Sequence, residues 1–445
     1  MTQPNVSVGV VSARQITFTL NTIYEADAQL VSGIQQAHFH DGHILWQGRS
    51  YDQLLFSPQT AEASFSIEDV VIGIRFHWER KERQTFSGAL RLLVEGEALC
   101  AVNVLPVEDY LQSVISSEMN AEAPLQFLKA HAVISRSWLL AQMERRLHGR
   151  AAVSSDSSVA NPVAVSAEPM RIKWYDQEDH IRFDVCADDH CQRYQGITRM
   201  TSPAAREAVL QTSGQVLSYD GAICDARFSK CCGGILEEFA TCWDDVQKPY
   251  LVAKRDVAPT SDDSSVADDV PASLPDMDEA TAERWIKAAP DAFCRTTDRY
   301  ILSRVLNSYD QETADFYRWH VHYTTDELSE LVSRKLQVHF GQIRSLIPLR
   351  RGPSARISLL KIVGTEATLV LGKELEIRRA LSPSHLLSSA FYVEPTPDGF
   401  TLHGAGWGHG VGLCQIGAAV MGQQGYDYLQ ILRHYYSGAD IQHFY

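Results

Sequence analysis

The sequence predicts an α+β fold. Three observations predict it. Residues 5 to about 104 alternate apolar and polar side chains in short runs. The period becomes helical from Val107 to about Leu147. Strand-like runs then return over 172–219 and 350–400. A chain of 445 residues exceeds the needs of one small core. Two or three domains, or one large domain with insertions, are expected.

The first runs are VSVGVV, ITFTL, ASFSI, VVIGIRF, LRLLVEG and CAVNVL, read as strands separated by turns. From Val107 onward Tyr110, Leu111, Val114, Ile115 and Met119 follow helical spacing. Pro124 suits the first turn of a second helix, Leu125 to about Leu147, with Leu128, Ala132, Ser135 and Leu139 on one stripe. Residues 150–170 are small and polar and read as a loop. Residues 256–280 are rich in Asp, Ser and Pro and read as an exposed linker. Residues 281–345 read as helical, ending in the amphipathic segment TDELSELVSRKL. The division is a strand-rich part (1–104), a core in two pieces (105–256 and 371–445), and a linker with an inserted helical segment (257–370).

The net charge of −15 argues against nucleic acid and anionic lipid as partners, because both need clustered Lys and Arg. No run of 18 apolar residues is present, so no membrane insertion is expected. The stretch from Met1 to Leu20 lacks a basic start and a continuous apolar stretch. That points to a cytoplasmic location, or to the cell envelope if the start is trimmed. The nine cysteines, with Cys231 and Cys232 adjacent, are odd in number. Reduced thiols, some of them ligating metal, are expected rather than a disulfide framework.

Four segments carry chemistry. Glu118 lies beside the apolar stripe at the end of the first helix, before the turn AEAP. A carboxyl there, partly removed from water, can serve as a proton donor. Glu108 and Asp109 sit where acidic residues favour a helix N-terminus. The segment DHIRFDVCADDHCQRYQG places Cys186 and Cys191 near His180 and His190, a donor set that suits zinc. A straight strand over 180–186 would separate His180 from Cys186 by about 20 Å. Either the strand bends or His190 is the ligand. The segment ARFSKCCGGILEEFATCWDD reads as a Gly-Gly turn with small buried flanks; a Cys nucleophile with His409 as base is the rival reading. Finally, Gly404, Gly406, Gly408, Gly410 and Gly412 alternate around Trp407 and His409. Alternating glycines let a backbone approach a ligand or a strand closely. Trp407 can stack on a sugar ring, while His409 and Gln415 can hydrogen-bond its substituents.

These motifs resemble the sporulation stage II protein D family (SpoIID, including the LytB amidase enhancers). The family pattern has Tyr-Leu, Glu-Met-Pro, Leu-Lys-Ala-Gln-Ala and Ala-Arg-Thr. This chain has Tyr110-Leu111, Glu118-Met119, Leu128-Lys129-Ala130-His131-Ala132 and Arg136-Ser137, with Asn120 replacing the proline. His190-Cys191-Gln192 through Gly196 and the GWGHGVG loop also match. Cys231 and Cys232 stand where the family has small or hydroxyl residues. The resemblance implies a peptidoglycan lytic transglycosylase with Glu118 as catalytic acid and base. Lys129, Arg136, Trp407, His409 and Gln415 would bind substrate, and zinc would sit on His180, Cys186 and Cys191. The rival it implies is a non-catalytic glycan-binding module that activates a cell-wall amidase partner.

Overall fold

The computed structural model describes residues 2–72, 80–120, 122–152, 169–174, 180–188, 190–200, 202–258, 273–306 and 315–445. Most of the expected 150–170 loop and of the 256–280 linker lies outside the described residues. Strands β1 (Asn5–Ala13), β2 (Gln15–Ala26), β3 (Gln29–His40), β4 (His43–Trp46), β5 (Arg49–Tyr51), β6 (Gln53–Pro58), β7 (Ser64–Ile72), β8 (Arg80–Ser87), β9 (Ala89–Glu95) and β10 (Ala98–Pro106) come first. Helices α1 (Val107–Glu118) and α2 (Leu125–Ala152) follow, then β11 (Met170–Ile172), β12 (Val185–Cys186) and α3 (Pro203–Gln211). Next are β13 (Gln215–Tyr219), β14 (Ala222–Ile223), β15 (Phe228–Ser229), α4 (Phe239–Cys242), α5 (Glu279–Ala288), α6 (Arg299–Val305), β16 (Arg318–Thr324) and α7 (Thr325–Leu336). The chain ends with β17 (Ile343–Arg351), β18 (Ile357–Gly364), β19 (Thr368–Gly372), α8 (Glu374–Ala380), β20 (Phe391–Pro395), β21 (Gly399–Ala405), β22 (Leu413–Cys414), α9 (Gln415–Gln423), α10 (Tyr428–Tyr435) and β23 (Asp440–His443). The α+β class read from the sequence holds.

Two units are present. The first comprises Met1–His148, Gln177–Val216 and Ile441–Tyr445; the second comprises Gly149–Asp176 and Leu217–Asp440. In the first unit β1–β10 pair antiparallel in one sheet, and β12 joins it parallel to β1. The alternation in sequence is the reason. In β2 Ile16, Phe18 and Leu20 are buried while the residues between them are not. An aromatic chain extends the core from this sheet to α1: Phe65 stacks on Phe86, Phe86 meets Tyr194 at 5.9 Å, and Tyr194 stacks on Tyr110 at 5.2 Å. Helix α1 buries Tyr110, Leu111, Val114 and Ile115, the stripe its spacing predicts.

The second unit holds a four-stranded sheet in the order β11-β19-β18-β17 and a three-stranded sheet in the order β16-β21-β20. Its main core gathers Trp319, Leu328, Val332, Leu360, Ile362, Phe391 and Leu402. The structure departs from the sequence reading in two stretches. Residues 172–219 contain only short strands, and α3 forms there because Ser202 caps it by accepting the Ala205 N–H, with Pro203 at its first position. Within 281–345 the helices are interrupted by β16. Its sequence RWHVHYT alternates Trp319, Val321 and Tyr323, which pack toward the core, with polar residues, and it pairs antiparallel with β21.

A buried ion pair joins α1 to α2. Arg136 is fully enclosed, and its Nε and Nη2 donate to the Glu108 carboxylate at 2.9 and 2.6 Å. Burial alone would raise the Glu108 carboxyl. Arg136, the Tyr445 hydroxyl and the Gly214 N–H outweigh it and hold that group below its ordinary range. A depressed carboxyl stabilises the fold above its unfolded value and loses that contribution in acid. Glu108→Gln should therefore cost about 3–5 kcal/mol at neutral pH, the usual loss when one partner of a buried pair is removed. The deficit relative to wild type should shrink once pH falls below about 4.5. Denaturant unfolding at both pH values checks this, and an equal deficit in acid would contradict it.

Candidate functional site

Glu118 is the last residue of α1 and only 7% exposed. Helix α1 stops there because Met119 is extended, its N–H returning to the Ile115 carbonyl. The Arg193 backbone N–H donates to Glu118 Oε1 at 3.0 Å. The segment carrying Arg193 is stitched to α1. Ser113 Oγ donates to the Gly196 carbonyl at 2.8 Å and accepts the Gln195 N–H at 3.3 Å. Asn120, which replaces a proline of the family pattern, accepts the Glu122 N–H through its side chain and so closes the turn locally.

Two residues before Arg193 is Cys191. His180, Cys186, His190 and Cys191 bring one donor atom each within 4.8 Å of one another. Only Val185 and Cys186 are extended, and the chain turns on both sides of them. That bend removes the separation a straight strand would impose, and it lets both histidines reach the cysteines. The Cys186 N–H points to Cys191 Sγ at 3.4 Å, and His190 Nδ1 lies 3.6 Å from the same sulfur. The Cys186 thiol is drawn far down, first by Cys191 and then, against burial, by His180 and His190. His180 Nε2 is buried without a hydrogen-bond partner. An orphaned imidazole nitrogen beside two sulfurs is a donor set that fits a tetrahedral metal. The Cys186 side borders a cleft of about 320 Å³ lined by Gly9, Val70, Gln84, Phe183, Asp188 and Arg193.

The other expected residues fall as follows. Lys129 is half-buried on α2. Arg136 has no exposed surface and is committed to Glu108 and the Gln215 carbonyl. In the second unit Trp407 forms an antiparallel bridge with Cys231. Arg356 underlies the glycine loop, donating to the Gly408 carbonyl through Nε and Nη2 and to the Cys232 carbonyl through Nη1. A Cβ at Gly410 would lie 2.4 Å from Arg356 Nη1, and one at Gly412 would lie 2.0 Å from the Arg227 carbonyl oxygen. Both residues have positive φ, so glycine is required twice over.

His409 packs on Trp243, ring centres 4.7 Å apart. Its Nδ1 accepts the Val411 N–H, and the ring donates to the Phe228 carbonyl. Burial, then the charges of Arg227, Arg356 and Arg378, hold the imidazole well below its ordinary range, so it is neutral. One ring nitrogen therefore serves the loop itself and the other ties it to β15. Gln415 is buried at the start of α9. Sequence reading passed over Trp243, Arg356 and Glu237, because nothing in local spacing links them to the loop. Glu237 is fully enclosed, and its carboxyl accepts from Ser354 and Thr241.

The family described as Stage II sporulation protein (SpoIID) matches residues 95–219, the stretch that contains Glu118, the cysteine–histidine group and Arg193. Residues 95–219 thus carry the SpoIID family pattern. A domain of unknown function (DUF8618) matches residues 237–412, which include the whole run from Gly404 to Gly412. The chain is 23% identical to stage II sporulation protein D of Bacillus amyloliquefaciens, over 77% of this chain and 75% of that one. It is 24% identical to an uncharacterised protein of Brachyspira hyodysenteriae, over 80% of this chain and 72% of that one. It is 26% identical to the amidase enhancer of Bacillus subtilis, over 53% of this chain but 32% of that one.

Glu237 yields a test of the loop's foundation. Burial pushes its carboxyl up to about 7, against the Ser354 hydrogen bonds and the Arg356 charge. The fold therefore favours its protonated form. That stabilisation is complete below about pH 4.5 and is lost as pH rises through about 7. The thermal midpoint should fall between about pH 5 and about pH 8, and fall less in Glu237→Gln, which cannot ionise. Parallel slopes in the two proteins would contradict the assignment.

Proposed function

We propose that this protein is a lytic transglycosylase that cleaves peptidoglycan between N-acetylmuramic acid and N-acetylglucosamine. The observation that carries the reading is Glu118, an enclosed carboxyl at a helix end whose orientation is set by the Arg193 N–H. Glu118 donates its proton to the glycosidic oxygen as the bond to C1 breaks. The resulting carboxylate takes the proton of the muramyl 6-hydroxyl, and that oxygen closes on C1. The ring closure gives a 1,6-anhydro end and returns Glu118 to its acid form. One carboxyl suffices because the nucleophile belongs to the substrate, whereas the usual hydrolase employs two.

Cys186 and Cys191, with His180 and His190, would hold zinc as a structural clamp. Their part in the reaction is positional: they fix the turn that presents Arg193. Arg136 and Gln415, being enclosed, act by holding their helices in place. Trp407, half-buried in the glycine loop, is the sugar-stacking residue, and His409 pins that loop. Lys129 is assigned to the substrate as a cation on the helix that follows Glu118.

The similarity to an amidase enhancer favours a second reading, a glycan-binding activator of an amidase that cleaves no glycan itself. Mass spectrometry of purified glycan strands separates the two. The wild-type protein alone should release anhydro ends, and Glu118→Gln should do so at least about 100-fold more slowly with its fold intact. Release by the variant at the wild-type rate would remove Glu118 from the mechanism. Absence of product from the wild type would leave the activator reading. His409→Ala should slow cleavage without changing the product; a changed product would give His409 a direct chemical role.

A further inference from the structure

The second unit contains another convergence of thiols that the proposed reaction does not use. Cys232, Asp256, Cys294 and Cys414 are all buried, and their donor atoms lie within 4.8 Å of one another. They come from four separate stretches: the turn after β15, the first residue of the 256–280 stretch, the segment before α6, and the residue capping α9. We propose that these four residues form a second metal site, for zinc or a cation of similar softness, under the glycine loop.

The geometry suits a metal better than a disulfide. Cys232 Sγ and Cys294 Sγ lie 3.5 Å apart. Two thiolates on a tetrahedral zinc, with Zn–S near 2.3 Å, lie about 3.8 Å apart. A disulfide needs about 2.0 Å and would leave Cys414 and a buried carboxylate facing it. Backbone donors already point at the sulfurs: the Gly234 N–H at Cys232 Sγ (3.4 Å) and the Cys232 N–H at Cys414 Sγ (3.2 Å). Such bonds stabilise thiolates.

Asp256 is oriented as a ligand. Its Oδ1 accepts the Tyr435 hydroxyl at 3.0 Å and meets His434 Nε2 at 3.1 Å. That leaves Oδ2 toward the sulfurs, 3.3 Å from Cys232 Sγ. A Cβ on residue 417 would lie 2.6 Å from Oδ2, and Gly417 keeps that space open. A buried carboxylate among sulfur atoms is costly unless a cation joins it. Binding would release the three thiol protons to solvent. The neighbouring Cys231 pairs by backbone with Trp407, so the ion would anchor the strand on which the loop rests. Cysteines at 231 and 232 are also this chain's departure from the pattern it resembles.

The claim is independent of the glycan reading, and metal content tests it without activity. The full chain is purified under reducing conditions without added metal, then examined by elemental analysis and zinc-edge X-ray absorption. Two zinc ions per chain are expected. Cys294→Ser and Asp256→Asn should each lose one, while Cys186→Ser/Cys191→Ser should keep one with three sulfurs and one oxygen. A wild-type protein holding a single zinc with two sulfur and two nitrogen ligands would overturn the proposal, whatever the variants do. So would an intact mass lighter by two hydrogens, traced by peptide mapping to a Cys232–Cys294 bond.

Discussion

The hydrogen bond from the Arg193 backbone to Glu118 is the contact on which the chemistry proposed for the first unit depends. A carboxyl at a helix end can rotate, and a rotating acid is a poor proton donor to one chosen oxygen. Here a main-chain N–H sets the carboxyl's orientation. That N–H is itself fixed from two sides. Ser113 and Tyr110 tie residues 194–196 to α1, and the cysteine–histidine group closes the turn just before Arg193. A metal held on that turn would bear on the proposed proton transfer without entering it.

The second unit applies a similar device to a different end. Arg356 spends its guanidinium on carbonyls of the glycine loop and of the CCGG turn. Glycines at 410 and 412 are required because the cation and the Arg227 carbonyl occupy the space of their side chains. The loop is thus a packed object, and His409 joins it to β15 through its two ring nitrogens.

Much of this was legible in the sequence. The strand alternation before residue 105, the stripe of α1 and the place of Glu118 at its end follow from periodicity. The cysteine–histidine group could be named from residue types. Its geometry could not, since only Val185 and Cys186 are extended in that segment and the spacing rule for strands fails between His180 and Cys186. Arg193 was illegible for a different reason: its contribution is a backbone N–H, which leaves no mark on residue identity. Asp256, Cys294 and Cys414 each look ordinary where they stand, and only the fold brings them to Cys232. Strand β16 was hidden within a stretch dominated by helical segments.

The central claim is that the nucleophile comes from the sugar and that Glu118 alone moves the proton. The most direct measurement is the mass of the ends released from purified glycan strands in heavy-oxygen water. The account predicts anhydro ends that carry no heavy oxygen, because the muramyl 6-hydroxyl closes on C1. Heavy oxygen at C1 of the initial product would show that water is the nucleophile and would contradict it.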